Sequence, residues 1–215
     1  MTDKKQISST TKQVIAVLVS LVLVGLVYYG SYLPYKKSRS FINNLRNIDR
    51  MGTFDDVKRN FNEVYAISAP IGHEELVRHF SNIALQTVQQ TGRENPDLAQ
   101  SVIAYVEEIY APILENGRGM SFNQNLFILG AINQVAFLQT GNEEYLEKGI
   151  QYFERGNELA PQRPQFLYGL FDLYRLSGQT DKAIDMGEQI ISLWPNDERI
   201  QVLLGELKGA ANQPA

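Results

Sequence analysis

Two prolines near the C-terminal end of the chain, Pro161 and Pro195, enclose one helix-turn-helix pattern. Their spacing of about 34 residues is a period typical of helical repeats. The first half of the pattern carries an apolar stripe at helical spacing, formed by Leu167, Leu170, Phe171 and Tyr174. Gly178 interrupts this stripe, as a left-handed helix cap would. Two amphipathic helices joined by a short turn cannot cover both of their apolar faces, so the pattern predicts neighbouring helix pairs that stack on this one.

The second half of the pattern predicts a helix that is capped by Thr180 and ended by Pro195. Its buried side is expected to consist of Ala183, Ile184, Gly187, Ile190 and Ile191. Asn196 can then cap a third helix, from Asp197 to about Lys208. The fold class expected for this region is all-α.

This region resembles the tetratricopeptide repeat (TPR) family, whose unit is a helix pair of about 34 residues. The copy that ends at Pro195 matches the family's positions with Leu167, Leu170, Phe171, Tyr174, Ala183, Gly187, Ile190 and Pro195. Phe171 stands where the family has a small residue and Gly187 where it has an aromatic one. We therefore expect these two residues to exchange bulk across the helix interface.

A second copy ends at Pro161 and matches in its second helix, with Gly149, Phe153, Gly156 and Pro161. Its inter-helix turn, residues 139–142, comes about three residues early, so a longer loop is expected there. A final half copy through Leu204-Gly205 would form a terminal cap. The resemblance covers roughly 80 residues and implies an α-solenoid of antiparallel helix pairs.

In the family that this region resembles, the first helix of each repeat lines a concave groove that binds a partner. The resemblance places groove-facing positions at Gln165, Tyr168, Asp172, Arg175, Arg199, Val202 and Glu206. A mixed polar groove with one Tyr suits an extended peptide or a partner helix. The alternative is that these residues form only the solvated side of a short solenoid. The Lys and Asn of the family's two-carboxylate clamp are missing from the groove.

The segment from Val14 to Leu33 contains no charged residue. Twenty such residues in a helix span about 30 Å, the thickness of the hydrocarbon core of a bilayer. Aromatic residues of the interfacial kind gather at its C-terminal end: Tyr28, Tyr29, Tyr32 and Tyr35. We therefore predict a retained, single-pass transmembrane helix in contact with the lipid bilayer. A cleaved signal peptide is the alternative, although its apolar region would be shorter.

The charges that flank this segment bear on its orientation. Basic residues are nearly balanced around it, with Lys4, Lys5 and Lys12 before it and Lys36, Lys37, Arg39 and Arg46 after it. This balance leans towards a cytoplasmic C-terminal domain. A short Lys-bearing tail ahead of an apolar segment is also the layout of an uncleaved secretory signal. On that ground we expect the domain to be extracytoplasmic.

The predicted organisation is a disordered tail (1–13), a transmembrane helix (14–33), juxtamembrane and repeat-like helices (34–120), TPR-like repeats with a C-terminal cap helix (121–209) and a disordered tail (210–215). About nine helices and no strand are expected after the span. One of them covers His73 to about Thr91. The next begins at Asn95-Pro96 and runs to about Glu115, and Pro112 should kink it or end it early. Thr53 and Ser121 are further expected N-caps.

A helix predicted directly after the span carries an apolar stripe, formed by Phe41, Ile42, Leu45 and Ile48. Basic residues surround the stripe, Lys37 among them. The interpretation that we favour is a helix that packs on the rest of the domain. Contact with anionic lipid headgroups is the alternative.

Composition argues against several kinds of chemistry. The chain has no Cys, which removes disulfides and thiolate chemistry. Its net charge is −4, and 17 of its 20 basic and 23 of its 24 acidic residues follow the N-terminal tail. This acidic balance argues against nucleic acid as the main partner. His73 and His79 lie six residues apart rather than four, so they do not make a zinc-protease helix. We expect no metal site, no cofactor and no enzymatic activity.

Two function classes remain. The first is a membrane-anchored, TPR-like scaffold for protein–protein interaction at a cell envelope, with a protein or peptide in its groove. The second follows from another resemblance, in the layout of an anchor that ends in Tyr32-Leu33-Pro34 followed by helices and two repeats. This layout resembles the C-terminal soluble tail of O-antigen ligase and polymerase-family membrane proteins. It implies a detached tail that serves a polytopic, glycan-transferring membrane partner.

Overall fold

The computed structural model describes residues 8–119 and 121–211, and in these ranges the secondary structure is helical, without a strand. The helices are α1 (Ser9–Val27), α2 (Leu33–Arg46), α3 (Phe54–Tyr65), α4 (His73–Thr91), α5 (Pro96–Asn116), α6 (Phe122–Thr140), α7 (Glu143–Leu159), α8 (Pro164–Leu176), α9 (Thr180–Leu193) and α10 (Glu198–Ala211). A π-helical turn, Tyr28–Tyr32, joins α1 to α2, and a 3-10 turn, Ile48–Arg50, follows α2. The all-α fold class predicted from the sequence is confirmed.

The chain divides into two compact units, residues 1–76 and 77–215, and α4 begins in the first and continues into the second. The two predicted disordered tails lie largely outside the described residues. Where the two tails overlap the described residues, the chain is helical. Helix α1 already begins at Ser9, because the Ser8 side chain accepts a hydrogen bond from the Thr11 backbone N–H and caps it. At the other end, α10 continues to Ala211. The other domain boundaries stay predictions.

In the first unit, α1, the π-turn and α2 form one helix of 38 residues, Ser9–Arg46, that is long and apolar enough to cross a membrane. Its large apolar side chains between Val14 and Val27 are 49–66% exposed. Pro34 directly follows the π-turn, in the first turn of α2. A proline ring crowds the carbonyl of the preceding turn in a regular helix, and a wider π-turn relieves that crowding. The helix therefore continues through the proline.

Helix α2 packs on α3 within the first unit. The rings of Phe41 and Phe61 meet edge to face with their centroids 5.3 Å apart. Thr53 caps α3 as predicted, in a reciprocal capping box with Asp56. Lys37, one of the basic residues around the apolar stripe, is only 3% exposed. Its position on α2 is four residues before Phe41, so both side chains turn towards the face that α3 covers.

In the second unit, each helix from α5 to α10 contacts the next one along the chain, and α6 also contacts α8. The connections are short: residues 141–142 separate α6 from α7, and residues 177–179 separate α8 from α9. Gly141 and Gly178 both have φ of +70°, the left-handed conformation that the sequence predicted for Gly178. Both of these turns end a helix sharply and let the next one pack against it.

Phenylalanine rings of one helix pack on glycines of another throughout this unit. Phe153 of α7 lies against Gly130 of α6 and Gly169 of α8. The ring of Phe171 likewise lies on Gly187, so the predicted exchange of bulk between these two residues is confirmed. Bare backbone at the glycines lets the helix axes approach closely while the rings fill the space between them.

Several predicted boundaries agree with the structure and others are corrected. Helix α4 spans His73–Thr91 as predicted, and the Asn95 side chain caps α5 through the Leu98 backbone N–H, at 3.1 Å. Pro112 does not end α5, which continues to Asn116. Pro112 is exposed, so water can solvate the carbonyl group that loses its partner.

Three capping predictions and one loop prediction are wrong. Ser121 precedes α6 without a side-chain capping bond. Thr180 is the first residue of α9 rather than its cap. The cap of α10 is Asp197 rather than Asn196, because the Asp197 carboxylate accepts the Ile200 backbone N–H at 3.0 Å. A longer loop was expected because the turn before α7 comes early. The extra residues lie in the helix instead, since α7 has 17 residues and α9 has 14.

Candidate functional site

The exposed sides of α8 and α10 meet through one carboxylate, that of Asp172 on α8. The Arg199 guanidinium of α10 donates to both Asp172 oxygens at 3.0 Å through Nη2. Arg175, one turn further along α8, donates to the same carboxylate at 3.4 Å. Its guanidinium also lies 5.4 Å from the centroid of the Phe171 ring. Asp172 therefore holds two cations and ties the two helices together.

Tyr168, one turn before Asp172, makes a second link between the two helices. Its hydroxyl donates to the carboxylate of Asp197, the residue that caps α10. Its ring packs on Trp194, with the centroids 5.9 Å apart. Partial burial, together with the hydrogen bond to Asp197, raises the pKa of Tyr168 to about 12. In turn, the hydrogen bond from Tyr168 lowers the pKa of the Asp197 carboxyl. The pair therefore stays as a neutral phenol bound to a carboxylate at neutral pH.

Four of the seven predicted groove residues are thus brought together by these two links: Tyr168, Asp172, Arg175 and Arg199. We call this set, with Asp197 and Trp194, the α8–α10 surface. The other three predicted residues are exposed on the same two helices, with Val202 at 61%. Gln165 lies one turn before Tyr168, and Glu206 lies one turn after Val202. That the seven face a partner stays a prediction.

Sequence reasoning missed Asp197 and Trp194 as members of this surface. It assigned Asp197 to the first position of a helix, after a cap at Asn196. A signal for Asp197 does exist, because it lies three residues before the buried Ile200, as an N-cap should. No local pattern reveals its bond to Tyr168, which lies 29 residues earlier in the chain.

Both carboxylates of the α8–α10 surface, those of Asp172 and Asp197, have hydrogen-bond partners. These carboxylates are held by cations, by a phenol or by a backbone N–H, so they are satisfied acceptors and not poised bases. In residues 8–119 and 121–211, no three His, Asp or Glu side chains are placed to hold one metal ion. His73, considered and rejected as a zinc ligand from the sequence, instead lies 3.2 Å from the Nζ of Lys37 in the first unit.

Comparison with known proteins assigns no family. No protein-family model matches the chain, and no curated protein matches it.

Proposed function

We propose that this protein is a membrane-anchored, non-enzymatic scaffold. In this proposal α1 crosses a bilayer once, and a TPR-like stack of antiparallel pairs, α6 to α10, binds a protein or peptide partner along α8 and α10. The observation that carries the proposal is the α8–α10 surface. Its members join two helices of a stack while Gln165, Val202 and Glu206 stand exposed beside them.

The periodicity of the helices supports the repeat part of the proposal. Helices α7 and α9 end at Leu159 and Leu193, and α8 and α10 begin at Pro164 and Glu198. Each of these two intervals equals the interval from Pro161 to Pro195, the TPR period of about 34 residues. Contact between α6 and α8 is what the first helices of successive repeats make in a solenoid. The same register places the exposed sides of α8 and α10 next to each other.

The surface also defines the chemistry of its partner. Arg175 and Arg199 supply guanidinium groups, Glu206 supplies a carboxylate, and Val202 adds an exposed apolar side chain. An extended peptide or an amphipathic helix that carries both charge signs complements such a surface. The proposed partner is therefore a protein segment and not a small molecule or a nucleic acid.

Site-specific photocrosslinking tests this surface without disturbing its internal bonds. Benzoylphenylalanine is introduced at Val202 in the full-length chain in cells, and adducts are identified after irradiation. The control position is Leu159 at the end of α7, which is also apolar and similarly exposed, at 55%. We expect one discrete protein adduct from position 202 that is missing from position 159.

Two outcomes would count against the proposal. Identical adducts from both positions would show that the α8–α10 surface is not selective. If benzoylphenylalanine at positions 165, 202 and 206 gave no adduct at all, the α8–α10 surface would not be a partner-binding surface. An adduct with a polytopic membrane protein would favour the second function class, the detached tail.

The side of the membrane needs its own measurement. We propose that the helical domain is extracytoplasmic. Protease added to intact spheroplasts should then digest a C-terminal tag. Protection of the tag until the cells are lysed would place the domain in the cytoplasm instead.

A further inference from the structure

Helix α2 has one face covered by α3 and one face exposed, and the two faces differ in chemistry. Phe41 and Lys37 belong to the covered face. The exposed face carries Tyr35, Lys36, Arg39, Ile42 and Arg46. From Gln13 to Ile48 the sequence contains no Asp or Glu, so the exposed face carries positive charge with no acidic neighbour along the helix. Such a face complements an anion.

The position of this face along the helix restricts which anion that is. It continues the apolar helix without a break, since Ser9–Arg46 is one helix. At about 1.5 Å per residue, Lys36 lies about 5 Å beyond Leu33 and Arg39 about 9 Å beyond it. The headgroup layer on each side of the hydrocarbon core is about 5–8 Å thick. Lys36 and Arg39 therefore fall at or next to the headgroups when α1 fills the core.

The Arg39 side chain is directed back towards the apolar segment. Helical side chains lean towards the N-terminus of their helix, and here the N-terminal direction leads into the span. The geometry agrees, because Arg39 Nη1 donates to the Tyr35 hydroxyl at 3.2 Å, one turn closer to the span. The guanidinium carbon lies 6.0 Å from the centroid of the Tyr35 ring. This direction brings the charge about one turn deeper than the Arg39 backbone.

These groups border a shallow depression of about 270 Å³, lined by Tyr32, Tyr35, Lys36, Arg39, Ser40 and Asn43. We propose that this depression binds the phosphate of an anionic phospholipid headgroup, with Lys36 and Arg39 as its cationic ligands. This inference rests on the proposed membrane anchor. A guanidinium offers paired N–H donors that match phosphate oxygens, and the Tyr35 phenol holds it at headgroup depth. Two cations without an acidic neighbour favour a net negative headgroup over a zwitterionic one.

Lipid retention from a defined bilayer tests the proposal. The full-length chain is reconstituted in nanodiscs of equimolar POPC and POPG, and the lipids that remain bound are counted by native mass spectrometry. A basic residue near the surface contributes about 1 kcal/mol towards anionic lipid, which corresponds to about fivefold in affinity. We therefore expect POPG to be retained over POPC by about fivefold or more.

Two double variants, each of which removes two positive charges, test where along the helix the site lies. Lys36→Gln with Arg39→Gln should reduce the preference to near one. Arg46→Gln with Arg50→Gln should leave it within about twofold of the wild-type value, because Arg46 lies about 10 Å further along the helix than Arg39. The charge-conserving pair Lys36→Arg with Arg39→Lys should keep most of the preference, which excludes misfolding as the cause of the loss.

Three results would overturn the headgroup site: no POPG preference in the wild type, an equal loss in both charge-removing variants, or a preference that survives Lys36→Gln with Arg39→Gln. Failure of the anchor itself has a different signature. In that case alkaline carbonate releases the wild-type chain from vesicles of pure POPC. Release would contradict the proposed function, whereas retention without lipid selectivity would contradict only the headgroup site.

Discussion

At the scale of single residues, helix packing in the second unit depends on glycines that leave space for phenylalanine rings. A methyl group at position 156 would overlap the Phe166 ring, and one at position 130 would overlap the Phe153 ring. Both rings are almost fully buried, so they have little room to move away. Glycine is required at positions 130 and 156 because a side chain would overlap the packed ring, and not because the backbone there needs the conformational freedom of glycine.

Gly156→Ala should therefore destabilise the protein, by roughly 1–3 kcal/mol, the usual cost of overpacking a core. Gly205→Ala is the matched control, because Gly205 lies within α10 and a methyl group there meets no atom within 4 Å. Alanine at that position should be neutral or should stabilise the helix by up to about 1 kcal/mol. Urea unfolding followed by circular dichroism measures both variants. Equal midpoints for the two would show that the ring-on-glycine contact is not tight.

The first unit contains a pair of basic side chains in contact, the buried Lys37 and the half-buried His73. The Lys37 ammonium donates to the Tyr65 carbonyl at 3.3 Å and to His73 Nδ1 at 3.2 Å. An ammonium group has no acceptor, so His73 must be neutral with its proton on Nε2. Burial and the charge of Lys37 lower the pKa of His73, and Glu75 opposes them weakly. Burial likewise lowers the pKa of Lys37.

This pair predicts that the stability of the first unit falls on mild acidification. The unfolded chain protonates His73 near pH 6.5, whereas the folded chain protonates it at lower pH. Between these two values the unfolded state binds more protons, so stability is full above pH 6.5 and declines as pH falls through the folded pKa. Amide hydrogen exchange in α2 and α3, measured from pH 7.5 to 5 after correction for the intrinsic rate, should show this loss of protection.

The two histidines of the chain supply the control for this measurement. His73→Gln should flatten the acid-side decline, since glutamine does not titrate there. His79→Gln should leave the decline in α2 and α3 unchanged, since His79 belongs to the second unit. A decline that persists in His73→Gln would assign the effect to other groups.

At the scale of elements, the start of α10 depends on Asp197. Its carboxylate accepts the Ile200 backbone N–H and the Tyr168 hydroxyl, so it caps α10 and ties it to α8. Asp197→Ala should cost about 1–2 kcal/mol through the cap and should loosen α10. Asn196→Ala, one residue earlier, should change stability by less than about 0.5 kcal/mol. Hydrogen exchange of α10 amides distinguishes the two, and equal protection would mean that Asp197 is not the cap.

Helix ends are predictable from the sequence where neighbouring residues alone determine them. Asn95-Pro96 starts α5 and Gly178 ends α8 as predicted, because each acts within a few residues of itself. The length of α7 and the passage of α5 through Pro112 are not predictable in this way. The length of α7 depends on packing against other helices, which stabilises a helix more than its local propensity does. The passage of α5 through Pro112 depends on Pro112 lying on the side of the helix that faces water.

In the candidate site too, features set by neighbouring residues were predictable and contacts between distant residues were not. The register set by Pro161 and Pro195 identified α8 and α10, and with them Tyr168, Asp172 and Arg199. It could not reveal that Asp172 and Arg199 bind each other, because 27 residues separate them in the chain. The burial of Lys37 was not predictable for the same reason, since it depends on Tyr65 and His73, 28 and 36 residues away.

At the scale of the whole molecule, the distribution of apolar surface is uneven. The second unit buries most of its large aromatic side chains, whereas the large apolar side chains of α1 are about half exposed or more. Burial of apolar surface is favourable by about 25 cal/mol per Å². The exposed apolar helix α1 is therefore unfavourable in water unless another molecule buries its side chains. The hydrocarbon core of a bilayer is about 30 Å thick, which matches the length of the apolar segment.

On the proposal that α1 spans a bilayer, charge placed in the middle of α1 should release the chain from the membrane. About twelve Val, Leu and Ile residues between Val14 and Leu33 contribute roughly 4–7 kcal/mol to insertion, and one central Arg costs about 2.5–3.5 kcal/mol. A single Arg should be tolerated, whereas Val19→Arg with Leu23→Arg should reverse the balance. Leu138→Arg with Leu176→Arg is the matched control, since both leucines are exposed on helices of the second unit. Alkaline extraction of membranes should release the first double variant and retain the second. If both variants stay in the membrane pellet, lipid is not what covers α1.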